Sequence, residues 1–219
     1  MRHTVRSAYR ALARVTRTGI AACLLASGIQ LAAPTAAVAV DPGLLTAAQK
    51  VLASDGQAGD TLGFECDIEG DTAVVGARCE DQNGPDAGAA YIFVRDGGTW
   101  VEQQKLVASD GLAYDYFAHD VAISGDTVII SAHTDDKLGF DTGAAYIFTR
   151  SGTTWTQQQK LQSSLPQIQE YFGYSVSIDG DTAVIGAYGS GSAYVFTRSG
   201  TTWTEQQRLE GWWVGENFG

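Results

Sequence analysis

The sequence predicts an all-β protein, a β-propeller built of four-stranded antiparallel blades, of which this chain of 219 residues holds about three. Three observations predict it. Gly-Asp-Thr recurs at Gly70, Gly125 and Gly180 with a fixed period of 55 residues, and regular self-similarity on this scale marks solenoids, propellers or arrays. Each period holds four short apolar segments separated by Gly-containing turns, and none shows a sustained 3.6-residue apolar period. The third segment of each period, "AAYIFV" (Ala89 to Val94) and its copies, is apolar on both faces. A strand apolar on both sides belongs to a sheet covered on both sides, and four-stranded sheets stacked face to face around an axis provide that cover.

Taken in order, residues 1–39 lie outside the repeat. Arg2, Arg6, Arg10, Arg14 and Arg17 form a basic start, Gly19 to Ala33 is an apolar run, and Ala37-Val38-Ala39 is a small-x-small cleavage site. This is the pattern of a secretory signal peptide cleaved before Val40. Ser27, Gln30 and Pro34 break the run, so it does not read as a membrane span, and none is expected after cleavage. Next, "AAQKVLASDG" (Ala47 to Gly56) matches "EQQKLVASDG" (Glu102 to Gly111), so residues 40–56 are expected to carry the orphan outer strand of a blade.

Residues 57–106, 107–161 and 162–209 are then three blades. In the third, strands are expected at "YSVSI" (Tyr174 to Ile178), "TAVIGA" (Thr182 to Ala187), "SAYVFTR" (Ser192 to Arg198) and "TWTEQQRL" (Thr202 to Leu209). Fifteen residues from Ala77 to Tyr91 shrink to eight from Ala187 to Tyr194 without disturbing their flanks, which marks a surface loop. The small residues Ala73, Gly76 and Ala77, with equivalents Ala183, Gly186 and Ala187, fit crowding toward the axis. Residues 210–219 read as the start of an incomplete blade, because "ENFG" (Glu216 to Gly219) aligns with "YFG" (Tyr171 to Gly173). The chain is therefore expected to be a piece of a longer propeller, whose uncovered sheet face makes the fragment self-associate.

The formal charge is −11, and loss of the five leader arginines takes it to −16. Nucleic acid is excluded as a partner, since phosphate binding needs a basic stripe. Two cysteines remain in a compartment that permits disulfides, Cys66 and Cys79. They are a candidate pair, although a simple hairpin sets them about four residues out of register. The competing reading makes Cys66 a buried small apolar residue like Val121 and Val176, its equivalents.

The stretches "FGYSVSIDGDTAVIGA" (Phe172 to Ala187) and "GSAYVFTRSGTTWTEQQRL" (Gly191 to Leu209) closely resemble the bacterial FG-GAP repeat, related to the propeller of integrin α subunits. The resemblance covers about Gln49 to Gly219. Leu62-Gly63 and Phe117-Ala118 stand in for Phe-Gly, Ser131-Ala132 for Gly-Ala, and Arg78, His133 and Tyr188 where the Pro of Gly-Ala-Pro would be. Integrin-like repeats often carry a Ca²⁺ loop between the first two strands, where alternate carboxylates supply oxygens. Here only Asp179 and Asp181 offer a pair of aspartates, and Asp as a turn former is the competing reading.

Counting strands along the meander places the loops after the second and fourth strands on one face, which collects Asp81, Asp86, Asp135, Asp136 and Asp141 with Asp55, Asp60, Asp110 and Asp115. Tyr114, Tyr116, Phe140, Tyr171, Trp212 and Trp213 are interleaved. By resemblance, propellers of this type bind ligand there, so Asp81, Asp86, Asp110, Asp115, Asp135, Asp136, Asp141, Tyr114 and Tyr116 are the candidate ligand-binding residues. Acidic loops that only keep a secreted protein soluble are the alternative. The repeated Trp100, Trp155 and Trp203 read as packing between blades, and His119, which aligns with Phe64 and Tyr174, reads as a packing residue and not a base.

For an enzyme the mature chain offers little. His119 and His133 form no His-x-x-x-His pair, and neither a Gly-x-Ser-x-Gly elbow nor a phosphate-cradling loop is present. Carboxylates that repeat with the blades do not read as a unique catalytic pair. The expected function is an exported, non-catalytic propeller binding an extracellular protein or glycan. The alternative is the propeller part of a larger secreted hydrolase with catalysis elsewhere.

Overall fold

The computed structural model describes residues 49–211, and the twelve strands all lie in the contact unit that begins at Val51. The leader and the last residues, Trp212 and Trp213 among them, lie outside the described residues. Sheet 1 comprises β1 (Cys66–Glu69), β2 (Thr72–Ala77), β3 (Ala89–Asp96) and β4 (Thr99–Leu106). Sheet 2 comprises β5 (Val121–Ser124), β6 (Thr127–Ala132), β7 (Ala144–Ser151) and β8 (Thr154–Leu161). Sheet 3 comprises β9 (Phe172–Asp179), β10 (Thr182–Ala187), β11 (Ser192–Ser199) and β12 (Thr202–Glu210). Every sheet is an antiparallel meander in chain order, so the architecture is a partial β-propeller of about three blades.

The repeated Gly-Asp pair makes the first hairpin of each sheet. Glu69 pairs with Thr72 across Gly70 and Asp71, and Gly70, Gly125 and Gly180 carry φ of 58°, 58° and 57°, which glycine adopts without strain. The shortened third loop becomes a single 3₁₀ turn at Tyr188–Ser190.

Adjacent sheets pack face to face through apolar side chains. Val74, Ala90, Ile92 and Leu106 of sheet 1 share a buried cluster with Val121, Ile123, Val128, Ile130, Tyr146, Phe148 and Trp155 of sheet 2. Ile129, Ala145, Ile147 and Leu161 on the other side of sheet 2 meet Val176, Ile178, Ala183, Ile185, Tyr194, Phe196 and Trp203 of sheet 3. Trp155 and Trp203 are therefore inter-sheet packing residues, as expected.

Polar contacts repeat at the same seams. One β-bulge recurs in each sheet, between Ile92 and Phe93, Ile147 and Phe148, and Val195 and Phe196, and it leaves Gln103 unpaired opposite β3. Gln103 then accepts from Nε1 of Trp155, while Gln104 bonds both backbone groups of Trp155 at 2.7 Å. Gln159 repeats the second pattern on Trp203. The first does not repeat, since Gln158 Oε1 and Trp203 Nε1 are both buried without a partner. Arg150 and Arg198 each lie over the Trp of their own sheet and donate to Thr72 and Thr127 of the preceding one.

The ends of the array differ from its middle. Val184 and Leu209 are 39 % and 44 % exposed, whereas their equivalents Ile129 and Leu161 are buried against sheet 3. Cys66 corrects the expectation of a buried residue: it is exposed because, unlike Val121 and Val176, its strand has no sheet packed on its outer side among the described residues. Cys66 pairs with Val75, four positions before Cys79, and both thiols are free. Residues 49–56, the described part of the expected orphan strand, hold no strand; Val51 and Ala53 pack against the outer side of sheet 1, and residues 40–48 lie outside the described residues.

Candidate functional site

The loop after β2 (78–88) and the loop after β4 (107–120) lock together by backbone hydrogen bonds. The amides of Tyr114, Tyr116 and Phe117 donate to the carbonyls of Pro85, Asp86 and Ala87 at 2.8, 3.1 and 2.9 Å. One blade further on, the amides of Gln169, Tyr171 and Phe172 donate to Phe140, Asp141 and Thr142 at 2.8, 3.0 and 3.0 Å. The two loop sets thus form one face. The close approach explains the Gly before each "AAYIF" run: a Cβ on Gly88 or Gly143 would land on the carbonyl oxygen of Phe117 or Phe172. Tyr116 and Tyr171 hold φ of 49° and 54°, a left-handed conformation that a bulky side chain rarely adopts.

Across this face the predicted aspartates divide into two groups. One group is structural. Asp135, only 2 % exposed, accepts from Lys160 at 2.7 Å and from the Tyr146 hydroxyl at 3.1 Å, and Asp110 accepts from the same two donors at 2.8 Å each. Sheet 1 repeats the device, with Lys105 donating to Asp55 and Glu80 and the Tyr91 hydroxyl to Asp55. Sheet 3 places Glu170 and Ser163 on the Tyr194 hydroxyl. Burial pushes the hydroxyl of Tyr146 far above the ordinary tyrosine value and that of Tyr194 to about 12, so both stay donors. Although burial works against it, hydrogen bonds from Lys160 and Tyr146 hold Asp110 below the usual carboxylate value.

Asp115 belongs with this group. It is buried, accepts from the Leu112 amide at 2.7 Å, and its desolvated carboxyl is pushed up to about 6. Asp60 and Glu170 close the equivalent turns on Gln57 and Gln167. Among the candidate ligand-binding residues, buried Asp115 and Asp135 and half-buried Asp110 thus have polar partners within the fold.

The second group faces outward. Asp81 and Asp136 are exposed and accept the amides of Asp86 and Asp141, and Asp86 and Asp141 are half-buried beside Tyr116 and Tyr171. Around them stand exposed apolar side chains: Leu112 and Tyr114, Leu138 and Phe140, Leu165 and Ile168, with Tyr114, Phe140 and Ile168 at 57 %, 59 % and 73 % exposure.

The weak cation candidates lie elsewhere, in the β9–β10 hairpin. Asp181 Oδ1 pairs with Arg198 at 2.6 Å, as Asp126 does with Arg150 and Asp71 with Arg95. The aspartate of Gly-Asp-Thr is thus an arginine partner in every sheet.

Toward the axis the same face carries a cluster that spacing alone did not flag. Phe64, His119 and Tyr174 occupy one repeat position and Arg78, His133 and Tyr188 another, and all six meet where the three sheets converge. The His119 and His133 rings lie 3.9 Å apart, and the Arg78 guanidinium sits 3.8 Å from the centroid of Phe64 with Nη1 3.5 Å from His119 Nδ1. Burial, then the Arg78 charge, pushes His119 down to about 4. Burial, then His119 and Arg78, pushes His133 down to about 3. The signal that could have found the cluster was three polar residues, Arg78, His119 and His133, at two repeat positions that hold Phe64, Tyr174 and Tyr188 in the other repeats.

Sequential four-stranded sheets joined by interlocking loops define a repeat-built propeller. The chain belongs to the FG-GAP repeat family, whose repeat model matches residues 45–93, 100–148 and 155–196, together more than half of it. The second and third matched segments each run from the outer strand of one sheet into the third strand of the next, so these sequence repeats tie two sheets together. No curated protein matches the chain. Among the described residues no helix is long and apolar enough to cross a membrane.

Proposed function

We propose that this protein is an exported, non-catalytic propeller that binds an extracellular glycan or protein through the interlocked loop face. The observation that supports this reading most is the distribution of exposed apolar side chains: Leu112, Tyr114, Leu138, Phe140, Leu165 and Ile168, half of the exposed large apolar residues described, all stand in the loops of that one face. Apolar groups gathered beside acceptor carboxylates mark interaction surfaces, whereas solubility alone calls for the carboxylates without them. Export is read from the leader, and association through the open side of sheet 3 from Val184 and Leu209.

The test is a glycan and matrix-protein array probed with the secreted protein and with a Tyr114→Ala, Phe140→Ala, Ile168→Ala variant. All three side chains are largely in solvent, so the variant is expected to fold normally. Binding by the native protein that falls at least about tenfold in the variant is the expected result, the size of effect that central aromatic anchors produce. Binding that the variant retains in full would refute the assignment to this face.

A further inference from the structure

Among the described residues, Arg78 is the one arginine with no carboxylate at ion-pair distance: Arg95, Arg150, Arg198 and Arg208 pair with Asp71, Asp126, Asp181 and Glu210. That is an unexpected gap in so acidic a chain. The guanidinium is half-buried over Phe64, its Nε is buried without a partner, and so is Nδ1 of His133 beside it. A guanidinium held partly out of water with no carboxylate beside it is costly unless an anion completes it.

The surroundings limit what that ligand can be. The loop after β2 contributes Arg78 and Asp86, and Asp86 faces Tyr116 and Cys79. The loop after β4 contributes Tyr116, His119 and Asp120, whose carboxylate is occupied by the amides of Val121 and Val176. His133 comes from the loop after β6, and Tyr171, Tyr174 and Tyr188 come from sheet 3 and its approach. Arg78 is the one positive charge there, and the carboxylates near it already have partners, Asp86 in Tyr116 and Cys79 and Asp120 in the two amides, so the guanidinium is left for an outside anion. A guanidinium suits a carboxylate.

We propose that Arg78, His119 and His133 form a subsite for the carboxylate of a single uronate residue within an otherwise neutral glycan. This rests on the loop face being the binding surface and names the ligand class for it. The exposed rings of Phe64, Tyr174 and Tyr114 offer flat apolar surfaces to a pyranose. Asp81, Asp86, Asp136 and Asp141 accept hydrogen bonds from sugar hydroxyls, and their charge repels a polyuronate chain, which limits the site to one acidic residue.

The experiment titrates the secreted protein with sodium glucuronate, methyl glucoside and sodium acetate, following the imidazole signals by NMR and affinity by calorimetry. Glucuronate is expected to shift both rings, and methyl glucoside to leave the rings unmoved. Arg78→Gln is expected to weaken glucuronate about tenfold, the loss of one charge-assisted contact. His133→Gln, which keeps a polar side chain of similar reach, is expected to weaken glucuronate as well and covers the case in which Arg78→Gln does not fold. No ring shift with glucuronate, equal affinity for acetate, or unchanged affinity in both variants overturns the proposal. If glucuronate fails while array binding still responds to the Tyr114, Phe140 and Ile168 changes, the subsite falls and the loop-face reading stands.

Discussion

Lowering the pH from 7 to 5 should destabilise the fold through two side chains, His119 and His133. Their ordinary value is 6.5, and the fold pushes them to about 4 and about 3. A histidine depressed in this way contributes fully above 6.5 and loses that contribution as pH falls toward the folded value, because the unfolded chain takes up its proton first. At pH 5 both rings are still neutral in the fold while both are protonated in the unfolded chain. Each then costs about 2 kcal/mol, the 1.5 pH units below 6.5 at about 1.4 kcal/mol per unit, or about 4 kcal/mol together. Asp115 acts in the opposite direction, since a carboxyl raised to about 6 is relieved on protonation, and offsets part of the loss. Asp55 and Asp110 are held below 3.8, so their contributions fade only in stronger acid.

The assay is urea unfolding at pH 7 and pH 5 for the native protein and for His119→Phe with His133→Tyr, the residues found in other repeats at those positions. The native protein should lose about 4 kcal/mol more than the double variant between the two pH values. Equal pH dependence would show that the rings are not held neutral by burial, and would refute the reasoning.

Three further outcomes follow from the structure. Tyr146→Phe removes the hydroxyl that donates to Asp110 and Asp135 and should cost about 1–3 kcal/mol in denaturant unfolding, while Tyr114→Phe should be near neutral. Trp155→Ala empties the seam between sheets 1 and 2 and should cost about 3–5 kcal/mol, with loss of the bonds that Gln103 and Gln104 make to it. Leu209→Lys together with Val184→Lys places two charges on the open side of sheet 3 and should reduce self-association by light scattering; an unchanged distribution would mean that any association uses another surface.

Much of the architecture was readable because the repeat is strict. Gly70, Gly125 and Gly180 set the first hairpins, and the expected strands of sheet 3 coincide with β9 to β12 to within two residues. The roles of the aspartates were less readable, because Asp81 and Asp135 look alike in a loop. Only the reach of Lys160 and Tyr146 across the sheet makes one of them structural and leaves the other in water. Cys66 was misjudged for a related reason: its equivalents are buried by a neighbouring sheet, and repeat alignment carries no information on whether a neighbour is there.

The sequence by itself determined the period, the turns, the two-sided apolar strands and hence a stack of four-stranded sheets, since all of these depend on spacing along the chain. Tertiary structure alone decided which polar groups face one another. His119 and His133 are fourteen residues apart in sequence, and Arg78 is forty-one residues before His119, yet the convergence of three sheets brings them together. Such a meeting depends on how strand ends splay toward the axis and on whether a carboxylate happens to lie opposite, and no local pattern records either.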